Sequence, residues 1–443
     1  MRVSVVGTGY LGATHAACLA SWGHQVIGID TDPSRTTQLS TGEAPFHEPH
    51  LDDLLRDGLT GGRLRFSTEI GDAAGAQVHF LCVGTPQAPD SYAADLSALW
   101  QAAHGLAPFL GPEALVVGKS TVPVGTAGRL RDLFADEAPA GARVMTAWNP
   151  EFLREGYAVA DSLRPDRIVL GVDCDEAHLV LRDVYAPLLE SGVPAVRTDL
   201  ATAELAKVSA NVMLAARISV VNLLAEVCEA AGANVADLTR VLGLDKRIGS
   251  EVLSPGIGYG GGCLPKDTRA FMARASELGV GDSAALLREV DAVNTRQRSR
   301  TAELAIGLLG DPVGAQVAVL GAAFKAGSDD LRDSPALDVA QRLLDAGAHL
   351  RVYDPGASDL ARVMPELERC SDVPGALRDS DLVLVLTDWP EFASLDPVSL
   401  LSLPRVPRIL DGRLVLDPVK WRAAGWTVRS LGRAPETESA CAS

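Results

Sequence analysis

No two cysteines in the chain are spaced as CxxC, so neither a zinc ribbon nor a thioredoxin-type redox pair is encoded. The seven cysteines, at 18, 82, 174, 228, 263, 370 and 441, are odd in number and irregular in spacing, which fits reduced thiols rather than a disulfide framework. Positive charge is in short supply: 40 Lys and Arg stand against 57 Asp and Glu, a net charge of −17. A binder of duplex nucleic acid shows a basic face, so nucleic acid is not an expected partner. The same field opposes anionic ligands, so any phosphate site must be built locally. No run of about 18 apolar residues occurs, and no membrane span is expected. No signal peptide precedes the first strand, which begins at Arg2, so the expected location is the cytoplasm. What is present is ordinary globular composition, 47% hydrophobic and 22% charged, over 443 residues, enough for two to three domains.

The first segment reads as strand (3–6), glycine turn, apolar helix (13–22), a closing Gly23 and a second strand (25–29) ended by Asp30. Further strands are expected at 78–83, 115–119, 144–147 and 167–171, and their alternation with helices argues for a parallel, doubly wound sheet. Residues 199–231 are rich in Ala, Leu and Val and lack Gly and Pro. They read as one long helix, apolar nearly all round and therefore buried, in part against another subunit. Alternation restarts near Asp311, with strands at 316–320, 349–353, 381–387, 408–410 and 427–431 and a helix at 334–346. This second domain has no GxGxxG turn. The expected class is α/β: two doubly wound Rossmann-like domains (1–198 and 306–431) joined by a helical middle domain (199–305) with one long central helix. A disordered tail is expected over 432–443.

GTGYLG places Gly7, Gly9 and Gly12 at dinucleotide spacing between a strand and a helix. Gly7 permits the tight turn, Gly9 admits the pyrophosphate and Gly12 lets helix and strand pack closely. Free N–H groups at the helix start bind the phosphate charge. Asp30 follows 18 residues after Gly12, where an acid holds the ribose hydroxyls. That carboxylate favours NAD over NADP, although Arg35 nearby is of the type that accepts a 2′-phosphate.

GIGYGGGCLPKD, residues 256–267, holds five glycines and cannot form a stable helix or strand interior. Cys263 sits at its end, followed by Lys266 and Asp267 in a polar setting where a cation raises the thiolate fraction. Cys18, Cys82 and Cys228 lie in apolar runs and read as buried small hydrophobes. Glu204, Lys207 and Asn211, at i, i+3 and i+7, share one face of the long helix. A lysine aimed from there into a cleft could stabilise an oxyanion, while a solvated face is the plainer reading of the spacing. Glu151 in WNPEFLREG and Thr121 in KSTVPVGT each follow a strand end, where open α/β sheets bind ligands; helix capping is the alternative for both.

GTGYLG (7–12), VGTP (83–86), STVPVGT (120–126), NPEFLREG (149–156), ELAKVSAN (204–211), GYGGGCLPKD (258–267) and FKAGSDDLRDSP (324–335) together resemble, in order and spacing, the UDP-glucose/GDP-mannose dehydrogenase family over residues 1–430. RIGSEVLSPGIGYGG (247–261) is most similar to the UDP-glucose branch. The resemblance implies a four-electron oxidation of a nucleotide-linked hexose at C6, with two NAD consumed and a thiohemiacetal and thioester on Cys263. Lys207 and Asn211 would hold the oxygen that becomes negative, Asp267 would act with Lys207 in positioning water, and Glu151 and Thr121 would handle protons. Glu151 is the implied base for thioester hydrolysis. Cofactor contacts fall on Gly7, Gly9, Tyr10, Leu11, Gly12, Asp30, Arg35, Thr85, Thr121, Glu155, Lys266 and Arg332. The sugar nucleotide falls on Glu151, Phe152, Leu153, Arg154, Glu155, Lys207, Asn211, Val252, Leu253, Ser254, Pro255, Gly256, Tyr259, Gly260, Phe324, Lys325 and Arg413. Arg247 would reach a site in the other subunit of a homodimer. The first domain would bind NAD and the last the nucleotide sugar.

Three positions depart from the family pattern: Gly262 stands where serine is usual, Ser328 where threonine is common, and Leu414 follows DGR in place of asparagine. FHEPH (46–50) offers two histidines and a carboxylate, but Pro49 interrupts the pair and no further ligand cluster is visible, so no metal is expected. dTDP-glucose, GDP-mannose and UDP-N-acetyl-hexosamines are the alternative substrates. Two rival classes are a single-step hydroxyacid dehydrogenase, which lacks the cysteine loop and the second Rossmann-like domain, and a non-catalytic nucleotide-binding protein.

Overall fold

Short β-branched runs bounded by glycine or aspartate become buried strands in the computed structural model, which describes residues 1–434. The first sheet contains β1 (Arg2–Val6), β2 (Gln25–Ile29), β3 (Leu64–Ser67), β4 (Val78–Leu81), β5 (Leu115–Gly118), β6 (Met145–Trp148), β7 (Ile168–Val172) and β8 (Ala195–Thr198). Their order is β3-β2-β1-β4-β5-β6-β7-β8. The second sheet contains β9 (Gln316–Leu320), β10 (His349–Tyr353), β11 (Glu368–Arg369), β12 (Leu382–Val385), β13 (Arg408–Asp411) and β14 (Thr427–Ser430), in the order β11-β10-β9-β12-β13-β14. Strand order reverses at β1 in one sheet and at β9 in the other. That switch point is where doubly wound sheets open a ligand crevice.

The sheets are parallel except at one pair, β6 and β7, which run antiparallel. The parallel sheet expected from the alternation is interrupted at that one pair. After β6 the chain runs through the 149–157 loop and the helix Ala158–Leu163 and re-enters beside β6 without crossing the sheet. Each strand feeds both faces, as period-2 alternation requires. Val3 and Val5 enter one apolar cluster and Val6 the other. In the second sheet Val317 and Val319 face one side, Ala318 and Leu320 the other. Phe80, Phe134 and Trp148 are fully buried, each worth about 2 kcal/mol of apolar burial.

By internal contact the chain divides into Met1–Ala210 with Arg269–Gly281, and Asn211–Thr268 with Asp282 onward. The helical stretch expected as 199–305 is shared between these two units. Its long helix runs Leu200–Ala231, one residue short of the expected start, and is long and apolar enough by composition to cross a membrane. Glu204, Lys207, Arg217, Glu226 and Glu229 interrupt it, so it holds no unbroken run of about 18 apolar residues. Polar Glu204, Lys207, Asn211 and Asn222 are buried on it, while Met213, Val220, Leu223 and Val227 are exposed. Two residues of the tail expected from 432 are held by the fold. The Gly432 amide donates to Glu229 at 2.6 Å and Arg433 bridges to Asn234. The remainder of that expected tail, 435–443, with Cys441, lies outside the described residues.

Candidate active site

In the first unit the glycine turn leaves the C-terminal end of β1 and opens the helix Tyr10–Ser21. A Cβ on Gly12 would lie 1.8 Å from the Gly7 carbonyl oxygen, so only glycine lets helix and turn pack this closely. A Cβ on Gly9 would meet nothing within 4 Å, which leaves its backbone open to a ligand. Tyr10 and Leu11 begin the helix, so their amides belong to its unpaired first turn. Asp30 ends β2 and is buried. It accepts from the Thr8 amide at 2.8 Å and from Arg35 at 3.0 and 2.9 Å. Burial alone would raise its carboxyl; the Asp32 and Thr8 amides and the Arg35 guanidinium outweigh it and hold the group below the ordinary carboxylate range. An open turn, unpaired amides and an ionised acid at the next strand end fit an NAD pyrophosphate and ribose.

The other strand ends converge on this edge. The Thr85 hydroxyl donates to the Thr121 carbonyl at 2.7 Å. Beyond β6, Asn149 turns the chain into the loop of Glu151, Phe152, Leu153, Arg154 and Glu155. Glu151 pairs with Lys207 at 2.9 Å, both largely shielded from water, and accepts from the Leu153 amide at 2.6 Å. Phe152 lies under Arg167, 3.7 Å from guanidinium to ring centre. Arg154 forks onto Asp161 and covers the Tyr157 ring. Glu204, on the stripe with Lys207 and Asn211, instead caps the helix Thr126–Glu137, accepting from Gly125 and Ala127 at 2.7 and 2.6 Å. Burial raises its carboxyl, partly offset by those amides.

Sequence reading missed the support under this loop. Lys119 is buried and donates to Asn149 Oδ1 at 2.8 Å; the Asn149 amide donates to the Val169 carbonyl at 2.9 Å, and Tyr185 donates to the same Asn149 oxygen at 2.5 Å. Burial pushes the Lys119 ammonium down to about 8. The signal available was a lysine at the end of the apolar strand LVVGK.

In the second unit Cys263 is exposed, and its carbonyl accepts the Asp267 amide at 3.0 Å, so it begins the helix Leu264–Glu277. The partial positive charge of a helix start favours negative charge at that sulfur. Asp267 is almost fully buried and accepts from the Asn211 amide at 2.6 Å and from Lys266. The turn before Cys263 is held by the helix Ala285–Leu309. Asn294 accepts from the Tyr259 amide at 2.7 Å and donates to its carbonyl at 3.0 Å, and Arg298 donates to that carbonyl at 2.7 Å and to Asp333 at 2.6 Å. Neither residue was singled out from sequence, because nothing local marks them. Gly260 lies against the Asp333 carbonyl, and Gly261 donates to Arg332 at 3.0 Å. At the Gly262 departure a Cβ would lie 2.5 Å from the Arg332 guanidinium carbon, the far end of an exposed side chain that forks onto Asp330 and can shift aside, so the contact does not explain the glycine.

The remaining expected residues also lie in this unit. Val252 adopts φ +56, strained for a β-branched residue. Leu253 and Pro255 are buried and Ser254 exposed, and Gly256 donates to Asn222 at 2.8 Å. Phe324 carries Lys325 over its ring at 5.6 Å. Arg413 donates to the carbonyls of Leu386 and Gly258 at 2.9 and 3.3 Å. Arg247 is exposed and pairs with Asp245 at 2.6 Å. The second sheet's counterpart of Asp30, Asp354 at the end of β10, is consumed internally by the amides of Ala322, Ala323, Gly356 and Ala357. Among the described residues no three His, Cys, Asp or Glu gather as a metal would require.

Comparison with known proteins matches the UDP-glucose/GDP-mannose dehydrogenase family in three stretches: its NAD binding domain over residues 1–189, its central domain over 201–296 and its UDP binding domain over 318–418. A UDP-glucose 6-dehydrogenase of Rhizobium meliloti (strain 1021) is 40% identical over 438 residues, 98% of this chain and 100% of that protein. The structure of a UDP-glucose dehydrogenase from Pyrobaculum islandicum superimposes with a TM-score of 0.90 at 36% identity, covering 98% of each chain. A UDP-D-ManNAc dehydrogenase structure from Pyrococcus horikoshii gives 0.87 at 28%, covering 98% of this chain and 99% of the other.

Proposed function

This chain belongs to the UDP-glucose/GDP-mannose dehydrogenase family and is an NAD-dependent nucleotide-sugar dehydrogenase, and from that premise we propose that it oxidises the C6 alcohol of UDP-glucose to the carboxylate. The observation that carries this reading is Cys263, an exposed thiol at the start of a helix, on a glycine-rich turn held from behind by Asn294 and Arg298. The higher identity to UDP-glucose enzymes than to the UDP-D-ManNAc enzyme favours UDP-glucose over an N-acetyl-hexosamine donor.

Bound at the glycine turn, NAD supplies a hydride acceptor. The residues of the chain do the rest. Removal of hydride and the hydroxyl proton turns the alcohol into an aldehyde. The Cys263 thiolate adds to that carbon, forming a C–S bond and an oxyanion that takes up a proton as the thiohemiacetal. Loss of a second hydride and that proton leaves a thioester. Water adds, the C–S bond breaks, and the carboxylate departs with the thiolate regenerated. The covalent bond also keeps the aldehyde from escaping between the two oxidations.

Lys207 and the Asn211 amide, one turn apart on one helix, stabilise the oxygen that becomes negative. Asp267 orients Asn211 and Lys266 through the contacts described above. Glu151 is the base for thioester hydrolysis, with Thr121 assisting in proton handling. Lys266 and Arg332 approach the cofactor. The 151–155 and 252–256 segments with Tyr259, Gly260, Phe324, Lys325 and Arg413 hold the sugar nucleotide. The exposed stripe of Met213, Val220, Leu223 and Val227, at helical spacing, is the face of a homodimer, and Arg247 reaches toward the second subunit's site. The enzyme works in the cytoplasm.

NADH absorbance with a donor panel of UDP-glucose, dTDP-glucose, GDP-mannose and UDP-N-acetyl-hexosamines, each with NAD and NADP, tests the reading. Two NADH per UDP-glucose are expected. One NADH per sugar, or turnover only with another donor, overturns the assignment of reaction or substrate respectively.

A further inference from the structure

FHEPH is the one segment singled out in the sequence that the chemistry above does not use, and its carboxylate does not face solvent. His47 and His50 are exposed, whereas Glu48 between them is buried. A carboxylate removed from water is costly unless its oxygens are hydrogen bonded. Both of its oxygens are used. One accepts the Val159 amide at 3.0 Å, and the other accepts the Tyr10 hydroxyl. The same Tyr10 oxygen accepts the Gly156 amide at 2.8 Å. Phe46, two residues before Glu48, packs on the Tyr10 ring at 4.7 Å between ring centres.

These contacts connect three separate pieces of chain within the first unit. Tyr10 is the first residue of the helix that the glycine turn opens. Gly156 closes the loop of Glu151 to Glu155, and Val159 lies in the helix after it. Burial and the Glu48 carboxylate keep the Tyr10 phenol protonated, so it donates to the acid and accepts from Gly156. We propose that Glu48 is a positioning residue for the sugar-nucleotide loop, acting through Tyr10 to seat residues 151–156 against the cofactor turn. The inference rests on the reading of that loop as part of the donor site. It gives the Tyr10 side chain a bracing role and leaves its backbone amide for the cofactor.

The test uses Glu48→Ala, Glu48→Gln, Tyr10→Phe and the Glu48→Ala/Tyr10→Phe double variant of the full chain. With UDP-glucose and NAD, Glu48→Ala raises donor KM about tenfold, the size of a lost buried hydrogen bond, while kcat changes much less. Glu48→Gln still accepts from Val159 and can donate to the Tyr10 oxygen, so it recovers most of the loss. The double variant is no worse than the worse single, because the two side chains act as one unit. A kcat loss with donor KM unchanged, or additive effects in the double variant, overturns the proposal. Amide hydrogen exchange of residues 150–160, read without any ligand, tests the brace independently of turnover. Exchange there is faster in Glu48→Ala and near wild type in Glu48→Gln; equal protection in all variants overturns it. If the wild-type protein oxidises no nucleotide sugar, the functional reading falls, while the exchange experiment still decides whether the brace exists.

Discussion

Cys263 differs from the other described thiols in where the chain places it. Burial pushes Cys18 and Cys82 up to about 12, removing them from thiolate chemistry, while Cys263 is exposed at a helix start. Iodoacetamide is therefore expected to modify Cys263 first, as peptide mapping after partial labelling would register. Cys263→Ser is expected to lower uronate formation by roughly a thousandfold or more, measured as product carboxylate by mass spectrometry; near-normal yield would remove the covalent route. Lys119 makes a separate prediction. Its folded-state value near 8 lies below the ordinary 10.5, so between those pH values the unfolded chain binds more protons and stability rises with pH. Below pH 8 the cost of the buried charge is present in full. Each tenfold in proton affinity is about 1.4 kcal/mol, so the gain across the window is about 3 kcal/mol. Urea denaturation of wild type and Lys119→Met at pH 7.5 and 10 isolates it: the gain belongs to the wild type alone. Parallel pH dependence in the two proteins would show that the ammonium is not desolvated.

Elements hold these residues by capping and cross-bracing. Asn294 satisfies both the amide and the carbonyl of Tyr259, as a neighbouring strand would. Asn294→Ala leaves both groups buried without that partner, at a cost of about 2 kcal/mol. A lower Tm and a kcat/KM reduced about tenfold or more are expected, read by calorimetry and NADH formation; an unchanged kcat/KM would mean that the glycine turn keeps its shape unaided. The elements themselves were largely legible. The strands Gln25–Ile29, Gln316–Leu320 and His349–Tyr353 have the bounds read from sequence, because the first two are apolar after a leading glutamine and the third alternates polar and apolar residues. β3 and β8 escaped notice. Both are edge strands, and their outward residues blur the apolar pattern, with β8 exposed along most of its length.

For the whole molecule, the charge of −17 and the long apolar helix act in opposite directions. Net charge disfavours association, and an exposed apolar stripe drives it. Val220→Glu or Val227→Glu places a carboxylate in the proposed dimer face. Sedimentation velocity is expected to show twice the 46.4 kDa chain mass for wild type and the single-chain mass for either variant. A wild-type monomer would assign the stripe another role.

Sequence alone determined the strand–turn–helix order, the open glycine turn, the acid at the end of β2 and the place of Cys263 at the end of a glycine-rich turn. Each depends on backbone geometry or polarity within a few residues, so local composition carries it. Tertiary structure decided which polar groups meet: Tyr10 with Glu48, 38 residues apart, Tyr259 with Asn294, 35 apart, and Lys119 with Asn149, 30 apart. It also decided that β6 and β7 run antiparallel and that Glu204 caps a helix while its neighbour Lys207 pairs with Glu151. A buried donor or acceptor must find a partner, and which partner lies within 3 Å is a property of the folded path.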